Sequence, residues 1–259
     1  MAMLLLPPSE GKTDAHGNKC LAFEALSFPE LNPLREKSIK ALLSLVNGSR
    51  PKARAVLGLS VKQDFEIERT RGLWDAPVGV AHSVYTGVLF DAIGIPSLTG
   101  APLKNFEVQS FVQSALFGLI SVTDQIPAYR LSGDTALPKL SSMSQHWSKA
   151  CSQVLGEADQ LVVDFRSGNY VKLGPIPSGV NAVVPKVLQK MPSGPPKVIS
   201  HHNKSTKGYI VREIVRSARE LRTAEQLAEL VSGMGADVVL HEPVKPGAAR
   251  ILDVVVEVL

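Results

Sequence analysis

Cysteine is nearly absent: Cys20 and Cys151 are the only two in 259 residues. Two distant cysteines cannot make a disulfide framework, and neither has a Cys-x-x-Cys partner. Buried, inert thiols in a reduced interior are therefore expected. Aromatic residues are few, at 5%, which leaves little surface for stacking on nucleic-acid bases. No apolar run approaches the roughly 18 residues that a membrane helix needs. Met1–Leu6 is too short for a signal peptide and lacks its basic flank. A cytoplasmic protein without membrane contact is the expectation. Excess charge of one sign is also missing: 28 Lys and Arg stand against 24 Asp and Glu, a net charge of +4. That balance is compatible with nucleic acid without requiring it. The histidines offer no His-x-x-x-His spacing, and His201 and His202 are adjacent with no carboxylate beside them, so no metal site is expected.

What is present is an ordinary globular composition, 44% apolar and 20% charged. Met3–Leu6 reads as a short buried strand. Helical spacing appears over Leu34–Val46, Pro51–Val56, Val61–Arg71, Val88–Ala92, Leu140–Leu155 (with Trp147 as core anchor) and Thr223–Val231. Strand-like runs fall at Leu161–Phe165, Val180–Val184, Lys197–Ser200, Val238–Leu240 and Ile251–Leu259. Helices and strands alternate without repeat or long linker. The expectation is one α+β domain over residues 1–259, a mixed sheet with surrounding helices and a helical lobe at 34–72.

Three stretches carry chemistry. The first strand runs into Pro7-Pro8-Ser9-Glu10-Gly11-Lys12-Thr13, whose end resembles that of a P-loop. The first glycine of that motif would stand at position 6, where this chain has Leu6, so a true P-loop is not expected. A turn displaying Lys12 remains a plausible anion site. In the lobe, Leu57-Gly58-Leu59-Ser60 between two helices has the outline of a helix-hairpin-helix, whose turn offers backbone amides to a DNA phosphate. Ser200–Leu230 is the third: Ser205 or Thr206 is the expected N-cap of a long helix. Ile210, Ile214, Ala218 and Leu221 lie on one side, and Arg212, Arg216 and Arg219 on another. Lys204 and Lys207 would then stand at its cationic start. A solvated basic face is the bland alternative.

The opening LLLPPSEGKT, Val84-Tyr85-Thr86-Gly87, Leu116–Leu119, Ala128-Tyr129-Arg130-Leu131, Trp147, Val163–Lys172 and Ser200–Arg212 occur in an order that resembles the YaaA family of bacterial peroxide stress proteins. They span almost the whole chain. The resemblance implies an intracellular α+β protein with an unusual fold that includes a helix-hairpin-helix. It also implies DNA binding and a role in limiting oxidative, iron-driven damage. The chain departs from the family pattern at Ser132-Gly133, where an acidic residue is usual, and in the splitting of a lysine pair into Lys204 and Lys207.

Two functional readings follow. In one, the protein grips double-stranded DNA without reading its sequence, through Lys52, Arg54, Leu57, Gly58, Leu59, Ser60 and Lys62 of the hairpin and through Arg216 and Arg219. In the other, it is an enzyme that binds a nucleotide such as ATP, or another anionic small molecule. The candidates for that pocket are Lys12, Tyr129, Arg130, Ser167, Tyr170, Lys172, Lys204, Lys207 and Arg212, with Tyr85 nearby. Pro127 is expected to leave Tyr129 and Arg130 displayed on a loop.

Overall fold

A computed structural model describes residues 1–191, 193–198, 200–217 and 219–257; of Ser200, His201 and His202 only the backbone is described. The first strand, β1 (Met3–Leu6), is apolar at every position and buried at every position, as a strand covered on both faces must be. Chain order then gives α1 (Asn32–Val46), α2 (Arg50–Leu57), α3 (Asp64–Arg71), β2 (Gly79–Val80), α4 (Ala81–Val84), α5 (Val88–Ile93), α6 (Ala101–Gln109), β3 (Ser110–Ser114), β4 (Gly118–Ser121) and β5 (Gln125–Ile126). After them come α7 (Met143–Gly156), β6 (Val162–Asp164), α8 (Gly168–Val171), β7 (Ala182–Gln189), α9 (Ser200–Arg216), α10 (Ala224–Ser232), β8 (Asp237–Leu240) and β9 (Arg250–Val256).

Seven strands form one mixed sheet in the order β4-β3-β1-β6-β7-β9-β8, and β2 pairs with β5 apart from it. The five inner strands are parallel; β4 and β8 run antiparallel at the two edges. The expected α+β class with a mixed sheet is what the structure shows. From β1 the chain moves to β3 on one side, whereas β6 leads to β7 on the other. The connections therefore diverge between β1 and β6, which leaves a crevice beyond the carboxyl ends of those strands.

Local chemistry explains most element ends. Thr223 caps α10 through a reciprocal bond pair with Gln226, as its sequence suggests. α2 stops at Gly58, which adopts a left-handed conformation (φ 62°), and a short 3-10 turn capped by Ser60 and Gln63 leads into α3. Trp147 is fully buried, its indole N–H bonded to the Ala115 carbonyl, and it closes over Gly118.

Several boundaries differ from expectation. Lys197 makes only an isolated bridge to Gln189, and Ser200 is already helical. Consequently α9 begins at Ser200 and ends at Arg216. Ser205 and Thr206 lie inside the helix and are not its cap, and Leu221 lies beyond it. Ala218 is outside the described residues.

Candidate functional site

The crevice between β1 and β6 opens into a cavity of about 750 Å³. Pro7, Pro8, Ser9, Glu10 and Gly11 extend β1 into one wall; Phe165, Arg166 and Ser167 extend β6 into the floor. Val88, Leu89 and Phe90 supply an apolar side, and Asn203, Lys204 and Lys207 of α9 stand opposite the polar strand ends. α9 reaches this position because Gly208 lets it cross α5 closely. A Cβ on Gly208 would lie 2.5 Å from the Leu89 carbonyl and 2.7 Å from the Ala92 Cβ. The glycine beside Lys207 thus places that lysine over the strand ends.

The floor is rigid. Arg166 and Asp164 are both buried and joined twice, Nε and Nη2 each 2.8 Å from a carboxylate oxygen. Arg166 Nη1 donates to the Gly174 carbonyl and to Gln113 Oε1. With Asp164 committed to Arg166, no carboxylate lies within ion-pair distance of Lys207 among the described residues. The Lys207 ammonium donates to the Phe165 carbonyl at 3.1 Å. Burial lowers its pKa, partly offset by the Asp164 charge. Lys204 is exposed at the rim. The cavity's two acids have partners of their own: Glu10 pairs with Arg130 at 2.8 Å, and Asp134 accepts from the Ser132 hydroxyl at 2.6 Å. Tyr170 is buried in the wall, where its oxygen accepts from the Gly133 amide; burial holds its phenol protonated beyond the ordinary range.

Behind the Ser9–Gly11 wall lies a second polar layer. Ser114 Oγ accepts from the amides of Leu116 and Phe117, so its own proton goes to the Tyr129 hydroxyl, 2.7 Å away. Tyr129 and Tyr85 share a further bond at 3.0 Å. Both tyrosines are buried, and desolvation raises the pKa of each above the ordinary phenol range.

Of the pocket residues expected from sequence, Ser167, Tyr170, Lys204 and Lys207 come together around the cavity. Five others do not line it. Lys12 is 7% exposed and turned inward, not displayed. Tyr129 is buried despite its loop, because Phe117 packs edge-on against its ring. Arg130 lies one step behind, holding Glu10. Lys172 is exposed just after α8, outside the lining. Arg212 is spent on the end of α5, donating to the carbonyls of Ile93 and Gly94 and to Ser97 Oγ. Lining residues Asn203 and Asp134 were not singled out from sequence, and Ser132 only as a departure from the family pattern; they come together only where α9 and the Leu131–Thr135 loop meet. The Asn203 Oδ1 atom is buried there without a hydrogen bond.

The row of three arginines is not formed. Arg212 is tied down, Arg216 is exposed at the last position of α9, and Arg219 lies past its end, also exposed. In the hairpin, Lys52 and Lys62 are exposed, Leu57 is buried, Leu59 is half-buried, and Gly58 and Ser60 are at the surface. Arg54, however, faces Asp64 of α3 at 3.2 Å. Cys151 is buried with its thiol pKa raised by desolvation, but Cys20 is exposed, contrary to expectation. Among the described residues no cluster of three or more His, Cys, Asp or Glu could hold a metal ion, and no helix is long and apolar enough to cross a membrane.

A mixed sheet with a polar cavity at the carboxyl ends of its diverging strands defines the structural class, an α+β protein organised around one switch point. Comparison with known proteins makes the assignment particular. The chain belongs to the YaaA family of peroxide stress proteins, whose description, Peroxide stress protein YaaA, matches residues 1–234. It is 39% identical to a UPF0246 protein of Corynebacterium efficiens over 244 residues, covering 93% of this chain and 96% of that one. A UPF0246 protein of Streptomyces coelicolor is 36% identical over 256 residues, 98% of each chain. An uncharacterized protein of Campylobacter jejuni is 26% identical over 242 residues, 89% of this chain and 91% of its own.

Proposed function

We propose that this peroxide stress protein works by binding an anionic small molecule of nucleotide size in the β1–β6 cavity. The observation that carries this reading is Lys207, a largely buried ammonium on the cavity wall with no carboxylate in contact among the described residues. An unpaired buried cation is costly, and an anion entering the cavity would offset that cost. Lys204 adds a second charge at the rim, the Val88–Phe90 side offers apolar surface to a ring, and Asn203 holds an unused acceptor for a ligand donor. ATP is the simplest probe of that shape and charge.

DNA binding through the hairpin is the second reading. It is favoured by Gly58: a Cβ there would meet nothing within 4 Å, so the turn is open to an approaching phosphate backbone, with Lys52 and Lys62 exposed beside it. Against it, Asp64 occupies Arg54 and Ser60 already caps the turn into α3.

One titration separates the two. Fluorescently labelled duplex DNA is titrated over a range of salt concentrations, with and without millimolar ATP, for the wild type, Lys204→Ala/Lys207→Ala and Gly58→Val. The cavity reading expects ATP to raise the thermal midpoint of the wild type and the double variant to lose at least tenfold in ATP affinity while staying folded. A folded double variant that binds ATP as the wild type does would end it. Steeply salt-dependent DNA binding, indifferent to ATP and lost in Gly58→Val, would establish the hairpin instead.

A further inference from the structure

Lys12 is held unlike any surface lysine. Its Nζ lies 4.1 Å from the centroid of the Tyr129 ring and 5.3 Å from that of Tyr85. It donates to the carbonyls of Ser9, at 2.9 Å, and Glu10, at 3.4 Å. Those two residues and Gly11 line the cavity; Lys12 stands one layer behind them. Among the described residues, none of the ion pairs joins Lys12 to a carboxylate. The charged and titratable groups that face it are Glu10 on its own loop, Glu66 and Arg69 of α3, Arg130, and the two tyrosines. Burial first, then Arg130, brings the amine down to about 7, against the pull of Glu66 and Glu10.

We propose that Lys12 is a positioning residue of the cavity: as an ammonium it fixes the Ser9–Gly11 wall, so that binding an anion in the cavity is coupled to taking up one proton at Lys12 Nζ. The inference rests on the reading that the cavity takes an anion. The physical chain is short. A charged donor makes stronger bonds to the two wall carbonyls than a neutral amine does, and only the ammonium is attracted by the tyrosine faces. An anion across the wall favours the charged form of the lysine. By reciprocity, the proton then favours the anion. The proton comes from solvent and adds to the amine lone pair; no covalent bond of the ligand changes. Lys207, half-buried and shifted in the same direction, contributes uptake of its own, so the share of Lys12 is isolated by varying position 12 alone.

The test is calorimetric titration of the full chain with ATP between pH 6 and 9, in pairs of buffers with different ionisation enthalpies. Wild type, Lys12→Arg and Lys12→Met are compared, so the titration of ATP itself cancels. Above pH 7 the wild-type affinity should fall by up to about tenfold per pH unit, with proton uptake on binding. Lys12→Arg, charged throughout, should have a flatter profile and take up up to one proton fewer. Lys12→Met should bind more weakly at pH 6 and show the same reduced uptake. If both variants keep the wild-type profile and uptake, the role of Lys12 is refuted and the cavity reading stands. If the folded wild type does not bind ATP, the cavity reading falls and this inference with it. Should Lys12→Met not fold, Lys12→Arg decides alone.

Discussion

Asp164 and Arg166 show how a single pair sets the character of the site. Their bidentate contact is buried on all sides, and Arg166 spends its remaining donors on Gly174 and Gln113. The floor therefore presents no free guanidinium and no free carboxylate, and the cations left to face the cavity are Lys207 above it and Lys204 at the rim. Asp164→Asn keeps the shape but leaves the guanidinium uncompensated in a dry setting. The expected cost is about 3–5 kcal/mol of folding stability by urea denaturation, because one half of a buried pair is worse than none. Asp164→Asn combined with Arg166→Met should recover part of that loss. A single variant within about 0.5 kcal/mol of wild type would mean that solvent reaches the pair after all. The same scale exposes the limits of sequence reading. Gly-Lys-Thr after a strand advertises a displayed lysine, yet Lys12 turns inward. The rings that receive it, Tyr85 and Tyr129, come from segments more than 70 residues away, and no local pattern announces them.

Among the elements, α9 organises the site, and its legibility was uneven. Ile210, Val211, Ile214 and Val215 are buried as their spacing requires, and the capping of α10 by Thr223 was readable outright. The start of α9 was not, because Ser200–Thr206 carries no apolar period and its Ser and Thr imitate caps. Arg212 looked like a member of a basic row because the sequence does not show that the end of α5 lies beneath it and needs donors for its last carbonyls. Ser167, Tyr170, Lys204 and Lys207 line the cavity together, as polar residues just past a buried strand or on a helix beside a glycine do at the carboxyl edge of a sheet. That glycine gives the element-scale prediction. Gly208→Ala should gain helix propensity of about 1 kcal/mol in isolation. In the fold its Cβ would press on the Leu89 carbonyl, which cannot move as a side-chain tip could. The expected net result is a loss of about 1–3 kcal/mol on urea denaturation, with weaker ATP binding as α9 retreats and carries Lys204 and Lys207 with it. Unchanged stability and affinity would show that α9 and α5 are not in close register.

At the scale of the whole molecule, the sheet gathers β1, from the first six residues, beside β6, from residues past 160, and the cavity exists only because their onward connections part. Composition and periodicity conveyed the class of fold, but that juxtaposition depends on strand order, which has no local signature. The same convergence buries Lys12 and half-buries Lys207, and the molecule's stability should record it. Lys12 titrates near 7 in the folded chain against an ordinary value of 10.5, and Lys207 is shifted in the same direction. Below pH 7 Lys12 is protonated in both folded and unfolded chains, and the full burial penalty applies. As pH rises from 7 toward 10 the folded chain has released the Lys12 proton that the unfolded chain still holds, so stability rises, by at most about 1.4 kcal/mol per pH unit for that one group. Above pH 10 the sign reverses, because buried Tyr85 and Tyr129 keep protons that the unfolded chain loses. Urea denaturation of wild type and Lys12→Met at pH 7, 8 and 9 isolates the lysine, since every other titrating group is common to both. The stability of the wild type relative to the variant should climb over that interval. A difference that stays constant from pH 7 to 9 would mean that Lys12 keeps its ordinary charge inside the fold, and the amine would then need an ion-pair partner, whereas Glu66 is paired with Arg69 and Glu10 with Arg130.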